Sequence, residues 1–376
     1  MRMTVLASGS KGNSTVISSA ETSLLVDAGL SCRELLKRMK IANEDPAALS
    51  AILITHEHQD HIAGLATLAR RLRIPVYITE PTHRAWVRMV TPRTTMTYAK
   101  WLDHVQAEKE ARAEAAAQFT PEGTTAELGA PCLDSETWER SPTEPGAPSM
   151  TASSSWVGSN ESPGAPSFPV SSERVGSTTT ELPLTQLSAS TESDPDEEEP
   201  AAKPAPSYLP AVQYFHSGSN FSIGDISITP FTIPHDAADP CGFVFASRSE
   251  AVRMAIATDL GYMPPNVKSA LQRVDVLLLE SNHDLEMLKD GPYPWAVKQR
   301  VLSRVGHLSN HATAEFLAHD YDGGATYIVL GHLSEQNNAP ELALFAAEQA
   351  IAGRMSLLGN RILLAKQSAP LPSISV

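Results

Sequence analysis

The chain has 376 residues with 43 acidic and 29 basic side chains, a formal net charge of −14, and 42% of its residues are apolar, enough for a sizeable buried core. Three widely spaced cysteines, Cys32, Cys132 and Cys241, exclude a disulfide framework and a cysteine-based zinc ribbon. No apolar run approaches the roughly 18 residues of a membrane span, and the N-terminal stretch turns polar and glycine-rich too soon for a secretory signal. The expectation is a soluble, cytoplasmic protein with no membrane contact.

Length alone predicts two or three domains, but charge divides the chain differently. Residues 101–210 hold 19 acidic side chains against five basic ones, and half of the 28 prolines. They end in the run Glu192-Ser193-Asp194-Pro195-Asp196-Glu197-Glu198-Glu199. Low hydrophobicity with high charge cannot offset chain entropy, so disorder is predicted over most of 120–208, after a helical beginning near 101–118. The remainder, 24 basic and 24 acidic residues, is neutral, so the overall charge does not exclude a polyanionic substrate. The predicted division is a catalytic domain from 1–100 and 211–376, interrupted by an acidic insert at 101–210.

In chain order, residues 3–7 read as a strand leading into the loop Ser8-Gly9-Ser10-Lys11-Gly12-Asn13-Ser14. That loop lacks the spacing of a P-loop, so it is either a strand-to-strand turn or a backbone cradle for a substrate phosphate. Ser8 and Asn13 are its substrate-binding candidates. Residues 15–17 and 23–27 alternate like hairpin strands, and Ser31 is positioned to cap a helix over 32–39. The run 51–54 is a short buried strand. It enters Thr55-His56-Glu57-His58-Gln59-Asp60-His61, after which helical spacing extends to Arg71. A strand at 75–78 and a helix at 81–90 precede the insert. Beyond it, 212–215, 220–223 and 225–232 read as a β-meander ending near Ile233-Pro234-His235, with a further strand over 242–246. Strands at 254–259 and 274–280 end in Asp259 and Glu280, the first followed by a helix opening at Pro264-Pro265. A basic amphipathic helix over 294–304 leads to Gly306-His307-Leu308-Ser309-Asn310. Ser309 or Asn310 caps a helix over 311–319, a strand at 326–330 closes on Gly331-His332, and a helix at 339–352 and a short strand near 362–364 complete the chain.

Three imidazoles and two carboxylates within seven residues match no helix or strand period. Neutral imidazole and carboxylate are the ligands that borderline divalent metals prefer. His56, His58, Asp60, Asp259 and His332 fall just beyond predicted strand ends, with His235 beyond the meander. Strand ends of one packed sheet converge on one edge, so these residues can share a site.

The pattern His-x-His-x-Asp-His resembles the signature of the metallo-β-lactamase-fold hydrolases. The resemblance implies an α/β fold, the αββα metallo-β-lactamase-fold sandwich. It also implies two divalent metal ions, Zn²⁺ or Mn²⁺: one held by His56, His58 and His235, the second by Asp60, His61 and His332, with Asp259 between them. Such a pair would make a bridging hydroxide near neutral pH, which Asp60 would help orient. Asp27 would support the metal-binding loop without binding metal. The further motifs Asp259-Leu260-Gly261-Tyr262, Glu280-Ser281-Asn282-His283-Asp284, Gly306-His307-Leu308-Ser309-Asn310 and Gly331-His332-Leu333-Ser334, together with the loop at 7–13, look like the WalJ/YycJ branch. Its members are described as DNA exonucleases degrading from the 5′ end. The resemblance covers 1–95 and 211–365.

A nucleic-acid substrate, DNA ahead of RNA, is therefore expected. Lys298, Arg300 and Arg304 on the basic helix, with Ser309 and Asn310 beyond it, are the phosphate-binding candidates, the alternative being a solvated helix face. His307 or His283 would protonate the leaving oxygen or bind phosphate. The competing readings are a small-molecule hydrolase of the same fold, acting on a cyclic phosphodiester, thioester or lactam, and a non-enzymatic scaffold. For the acidic insert the readings are a basic protein partner, autoinhibition by nucleic-acid mimicry, or an inert insertion.

Overall fold

Strands that are apolar on both faces can only lie inside a layered fold. In the stretch 276–279, Val276 and Leu278 face one apolar layer, Leu277 and Leu279 face another, and all four are buried. The computed structural model describes residues 1–91, 205–247, 249–352 and 360–376, together with Gln106. The helix expected over 101–118 and the insert expected over 101–210 therefore lie outside the described residues, apart from Gln106 and 205–210.

The strands are β1 (Arg2–Ala7), β2 (Ser14–Ser18), β3 (Ser23–Val26), β4 (Leu49–Leu53), β5 (Val76–Ile78), β6 (Val212–Tyr214), β7 (Phe221–Ile223), β8 (Ile226–Thr232), β9 (Cys241–Ser247), β10 (Arg253–Ala257), β11 (Val276–Glu280), β12 (Tyr327–Gly331), β13 (Arg361–Leu364) and β14 (Ile374–Ser375). They form two seven-stranded sheets, ordered β14-β1-β2-β3-β4-β5-β6 and β13-β12-β11-β10-β9-β8-β7. In each sheet an antiparallel portion gives way to a parallel one: β3 through β6 in the first, β10 through β13 in the second.

The layer between the sheets takes Met3, Val5, Ile17 and Leu24 from one side and Ile228, Phe243, Phe245 and Leu278 from the other. Helices cover the outer faces. On the first sheet these are α1 (Cys32–Ile41), α2 (Gln59–Ile62), α3 (Leu65–Leu72) and α4 (Glu80–Val90), packing through residues such as Leu35, Met39, Leu68 and Trp86. On the second they include α5 (Pro265–Ala270), the single π-turn Phe316–Asp320 and, further on, a helix over Pro340–Ile351. The short helices Leu285–Asp290 (α6), Trp295–Val301 (α7) and Asn310–Glu315 (α8) lie between β11 and β12, and Pro340–Ile351 is α9. The αββα sandwich follows directly. Among the described residues, no helix is long and apolar enough to cross a membrane.

Local chemistry sets the boundaries. Ser31 caps α1, its hydroxyl accepting from the Glu34 N–H, as expected. The single helix expected from Asp60 to Arg71 is broken into α2 and α3 at Gly64. The Gly64 N–H donates to the Ala28 carbonyl at 2.8 Å, and a Cβ there would sit 2.1 Å from the Leu30 carbonyl oxygen. The residues expected to open the meander, β6, instead pair in parallel with β5 in the first sheet, and only β7 to β9 are the antiparallel run. The basic helix stops at Val301 rather than 304. There the chain reverses, the His307 N–H donating to the Val301 carbonyl at 3.0 Å, which returns His307 toward the sheet edge. Ser309 caps α8, which begins at Asn310 and is shorter than expected because the π-turn replaces its second half. β14 has no strong pattern of its own and was not expected from the sequence.

Phe243 is fully buried between the sheets, its ring 5.6 Å from Phe215 and 5.9 Å from Phe245. Phe243→Ala is expected to lower unfolding free energy by about 3–5 kcal/mol, through lost transfer energy and the cavity left behind. Denaturant titration measures this, and a loss below about 1 kcal/mol would mean that the two sheets do not share one rigid layer.

Candidate metal centre

The carboxyl ends of β3, β4, β10, β11 and β12 point toward one edge of the sandwich, and each delivers a polar side chain just beyond the last apolar residue. After β3 comes Asp27, after β4 the loop from Thr55 to His61, after β10 Asp259, at the end of β11 Glu280, and after β12 His332. His235 follows β8. Asp27, Asp259 and His332 have φ of +59°, +65° and +55°. Left-handed backbone at a residue with a Cβ costs on the order of 1 kcal/mol or more. At all three strand ends the turn aims the side chain into the same space. Gly29 closes the floor, because a Cβ there would lie 1.6 Å from the Asp60 carbonyl oxygen. The close approach is used: Asn13 N–H donates to that carbonyl at 2.7 Å.

His56, His58 and His235 form one donor group, Asp60, His61 and His332 a second, and His56, His61 and Asp259 a third. Within each group the ligand atoms lie within 4.8 Å of one another. His56 and His61 are fully buried, and Asp259 and His332 nearly so. Several of the donor atoms have no hydrogen-bond partner: His56 Nε2, Asp259 Oδ2 and His332 Nε2. His235 donates from Nδ1 to the Gly306 carbonyl at 3.2 Å, which leaves Nε2 as an acceptor, 3.1 Å from His58 Nδ1. Two nitrogen ligands of a tetrahedral zinc are separated by roughly 3.3 Å at zinc–nitrogen distances near 2.0–2.1 Å. Orphaned buried donors and acceptors facing one another are costly without a shared partner, and the set fits divalent cations.

The supporting contacts explain the orientations. Asp27 accepts from the Thr55 N–H at 2.9 Å, from the Thr55 hydroxyl at 2.9 Å and from His61 Nδ1 at 2.8 Å. It thus fixes both ends of the histidine-rich loop and leaves His61 Nε2 facing Asp259 at 3.4 Å and Asp60 at 3.5 Å. Glu280, which the sequence reading passed over as a site residue, is fully buried and saturated. Its Oε1 accepts from His332 Nδ1 at 2.7 Å and His307 Nδ1 at 2.9 Å, and its Oε2 accepts the N–H groups of Leu260 and Leu308 at 2.7 and 3.0 Å. A carboxylate ending an otherwise apolar strand was the available signal. Thr55 and Asp236 were likewise not singled out.

A cavity of about 330 Å³ opens on this group, lined by His58, Asp60, Asp259, His307 and His332 and, on its outer side, by Ser10, Asp236, Asn282, Tyr293, Val297 and Arg300. Arg300 is held there by an ion pair from Nε to Asp236. Other candidates lie elsewhere. Ser8 and Asn13 are buried behind the donors: the Ser8 hydroxyl accepts the His332 N–H at 2.8 Å, and Asn13 Nδ2 donates to Asp60 at 3.1 Å and lies 3.0 Å from His61 Nε2. Both are turned toward His332, Asp60 and His61 and do not line the cavity. Ser309 caps α8, and Asn310 is buried against Ser281 and Asn338. Lys298 and Arg304 lie outside the cavity, the first donating to the Lys289 carbonyl, the second stacked 4.2 Å over the Tyr262 ring. His283 is sealed from the cavity. Neither of its ring nitrogens has a hydrogen-bond partner, and burial holds it neutral with a pKa of about 4, so it cannot supply a proton to a substrate.

Burial opposes charge on His61 and His332. The carboxylates outweigh it, Asp259, Asp27 and Asp60 for the first and Asp259, Asp60 and Glu280 for the second, and both imidazoles are held well above their usual value of 6.5. Asp259 is driven well below the carboxylate range: burial opposes this, but the surrounding imidazoles prevail. Burial depresses His56 and His235, which stay neutral. In the metal-free chain, the stabilisation from charged His61 and His332 is full below about pH 6.5 and is lost as pH rises through their raised values. His56 and His235 act in the opposite sense, losing stability as pH falls below 6.5. A cation held by His61 and His332 would displace their protons. Calorimetric titration of metal-free protein with Zn²⁺ at pH 7.5, in two buffers of different ionisation enthalpy, is expected to show release of about two protons per chain. An absence of net release would show that these imidazoles are already neutral.

Comparison with known proteins agrees with this geometry. The family model of the metallo-beta-lactamase superfamily matches residues 7–110, and that of the beta-lactamase superfamily domain matches 177–332. Exodeoxyribonuclease WalJ of Streptococcus pneumoniae serotype 2 is 27% identical over 342 residues, covering 91% of this chain and 85% of the relative. Exodeoxyribonuclease YycJ of Bacillus anthracis is 27% identical over 351 residues, covering 93% and 89%. Among solved structures, unliganded yeast PDE1 aligns with a TM-score of 0.50 at 11% identity, covering 98% of each chain, a likeness of fold alone. The chain belongs to the metallo-β-lactamase superfamily, as a metal-dependent hydrolase, and is similar along most of its length to the WalJ and YycJ relatives.

Proposed function

We propose that the protein is a dinuclear phosphodiesterase acting on nucleic acid, in its sharpest form a 5′-to-3′ DNA exonuclease. The observation that carries this reading is the cavity itself, whose lining brings Arg300, tied to Asp236, and His307 together with His58, Asp60, Asp259 and His332. The names of the two relatives, both exodeoxyribonucleases aligned along nearly the whole chain, support it.

In this reading His56, His58 and His235 would hold one cation and Asp60, His61 and His332 the other, with Asp259 available to both. When bound, such a pair supplies Lewis acidity and activates water. The chain's own residues do the rest. Arg300, its Nε fixed by Asp236, presents its remaining N–H groups to a phosphate, and the guanidinium fork suits two oxygens at once. His307 is held through Nδ1 by Glu280, so Nε2 is the nitrogen available to pass a proton to the leaving oxygen. Asp60, steadied by Asn13, orients the attacking water. The size of the cavity, near the lower end of small-ligand pockets, is the observation that favours the second reading, a small phosphodiester as substrate.

The test is digestion of double-stranded DNA labelled at the 5′ or 3′ end, by metal-stripped protein given back Mn²⁺ or Zn²⁺, with Asp60→Ala/His61→Ala as control. Metal-dependent release of the 5′ label as mononucleotides is expected, with activity reduced at least 10³-fold in the double variant, roughly what loss of a metal-assisted step removes. Intact DNA alongside turnover of a chromogenic phosphodiester would establish the small-molecule reading instead.

A further inference from the structure

The wall of the cavity formed by residues 293–305 has a composition that metal chemistry does not require. Its helix, α7, buries none of its seven residues. Trp295 is 66% exposed, and Val297, Leu302 and Val305 are exposed as well. The same thirteen residues carry Lys298, Arg300 and Arg304 and no acidic side chain. Arg300 is paired with Asp236, while Lys298 and Arg304 meet no carboxylate among the described residues.

The helix has two working faces. Val297, Arg300 and Val301, spaced i, i+3 and i+4, line the cavity, with Tyr293 just before them. Trp295, Lys298 and Leu302, spaced i, i+3 and i+7, occupy the other side. A chain leaving the cavity past Tyr293 would cross the helix onto Trp295 and Lys298. Cations alone suit the phosphates of a duplex, which hides its bases. Exposed aromatic rings interleaved with cations suit a strand whose bases are free to stack. A protein-binding patch would gather its apolar side chains and be depleted of charge at its centre, whereas here Lys298 and Arg300 sit in the middle of the helix.

We infer that segment 293–305 is a track for an unpaired nucleic-acid strand, stacking bases on Tyr293 and Trp295 and holding phosphates through Lys298, Arg300 and Arg304. This rests on the nuclease reading above and adds that the strand end is engaged unpaired. A duplex would have to open its terminal pairs before the first scissile phosphate reaches the metal ligands.

The experiment is fluorescence anisotropy with full-length, metal-loaded protein and a labelled phosphorothioate 12-mer that resists hydrolysis, as single strand and as blunt duplex. Trp295→Ala, Trp295→Phe and the parent chain are compared at several salt concentrations. Trp295→Ala is expected to weaken single-strand binding about tenfold with little change in the salt slope, because a ring and not a charge is removed. Duplex binding should fall by less than about twofold, and Trp295→Phe should restore most of the single-strand affinity. Equal single-strand binding by the parent chain and Trp295→Ala would overturn the track while leaving the nuclease reading intact. Absence of binding to either oligonucleotide by the parent chain at low salt would overturn both. A change in sedimenting mass on Trp295→Ala, with unchanged affinity, would assign the helix to self-association and also overturn the track.

Discussion

Four carboxylates, those of Asp27, Asp60, Asp259 and Glu280, are gathered around one edge of the sandwich, all but Asp60 almost completely buried. So much negative charge out of water is sustainable only with positive charge beside it. Imidazolium supplies part of it in the metal-free chain, since His61 and His332 are held protonated by the same carboxylates. Divalent cations would supply it more fully. The rest of the site depends on this balance: His56 and His235 remain neutral because burial disfavours their charge, and Glu280 can hold two imidazoles on Oε1 because its Oε2 is fixed by two backbone N–H groups.

The fold makes such a concentration tolerable. The carboxyl ends of parallel strands in both sheets meet at the same edge, so Asp27, Asp259, Glu280 and His332 each sit within two residues of the end of a rigid strand. Left-handed turns at Asp27, Asp259 and His332 redirect the chain at once instead of through a loop. The backbone strain is small beside the stabilisation of the interior layers, where each fully buried Leu, Ile or Phe contributes about 1.5–3 kcal/mol. The helix layers supply distance from solvent, and the loop that returns from α7 brings His307 to the wall of the cavity.

Much of this was legible in the sequence. The apolar runs at 51–54 and 276–279 announce strands buried on two faces, and the density of His56, His58, Asp60 and His61 has no secondary-structure explanation. His235, Asp259 and His332 could be placed because each follows a strand. What could not be read were properties of assembly. The pairing of β6 with β5 depends on a partner more than 130 residues away. The inward turn of Ser8, Asn13 and Asn310 depends on neighbours from other strands, so residues with substrate-binding chemistry proved to be scaffolding. Glu280 looked like a strand-ending acid, and its sharing between His307 and His332 exists only once β11 and β12 are side by side. The length of α7 was overestimated because amphipathic spacing continues past the point where the backbone reverses.

The central claim is that seven side chains from four separate places in the chain hold two cations within one site. Anomalous diffraction at the metal edge of crystals grown with Zn²⁺ or Mn²⁺ tests it directly. The account predicts two peaks about 3.5–4 Å apart, one against His56, His58 and His235, the other against Asp60, His61 and His332, with Asp259 touching both. A single peak, or two peaks that leave His332 or Asp259 without a cation, would contradict it.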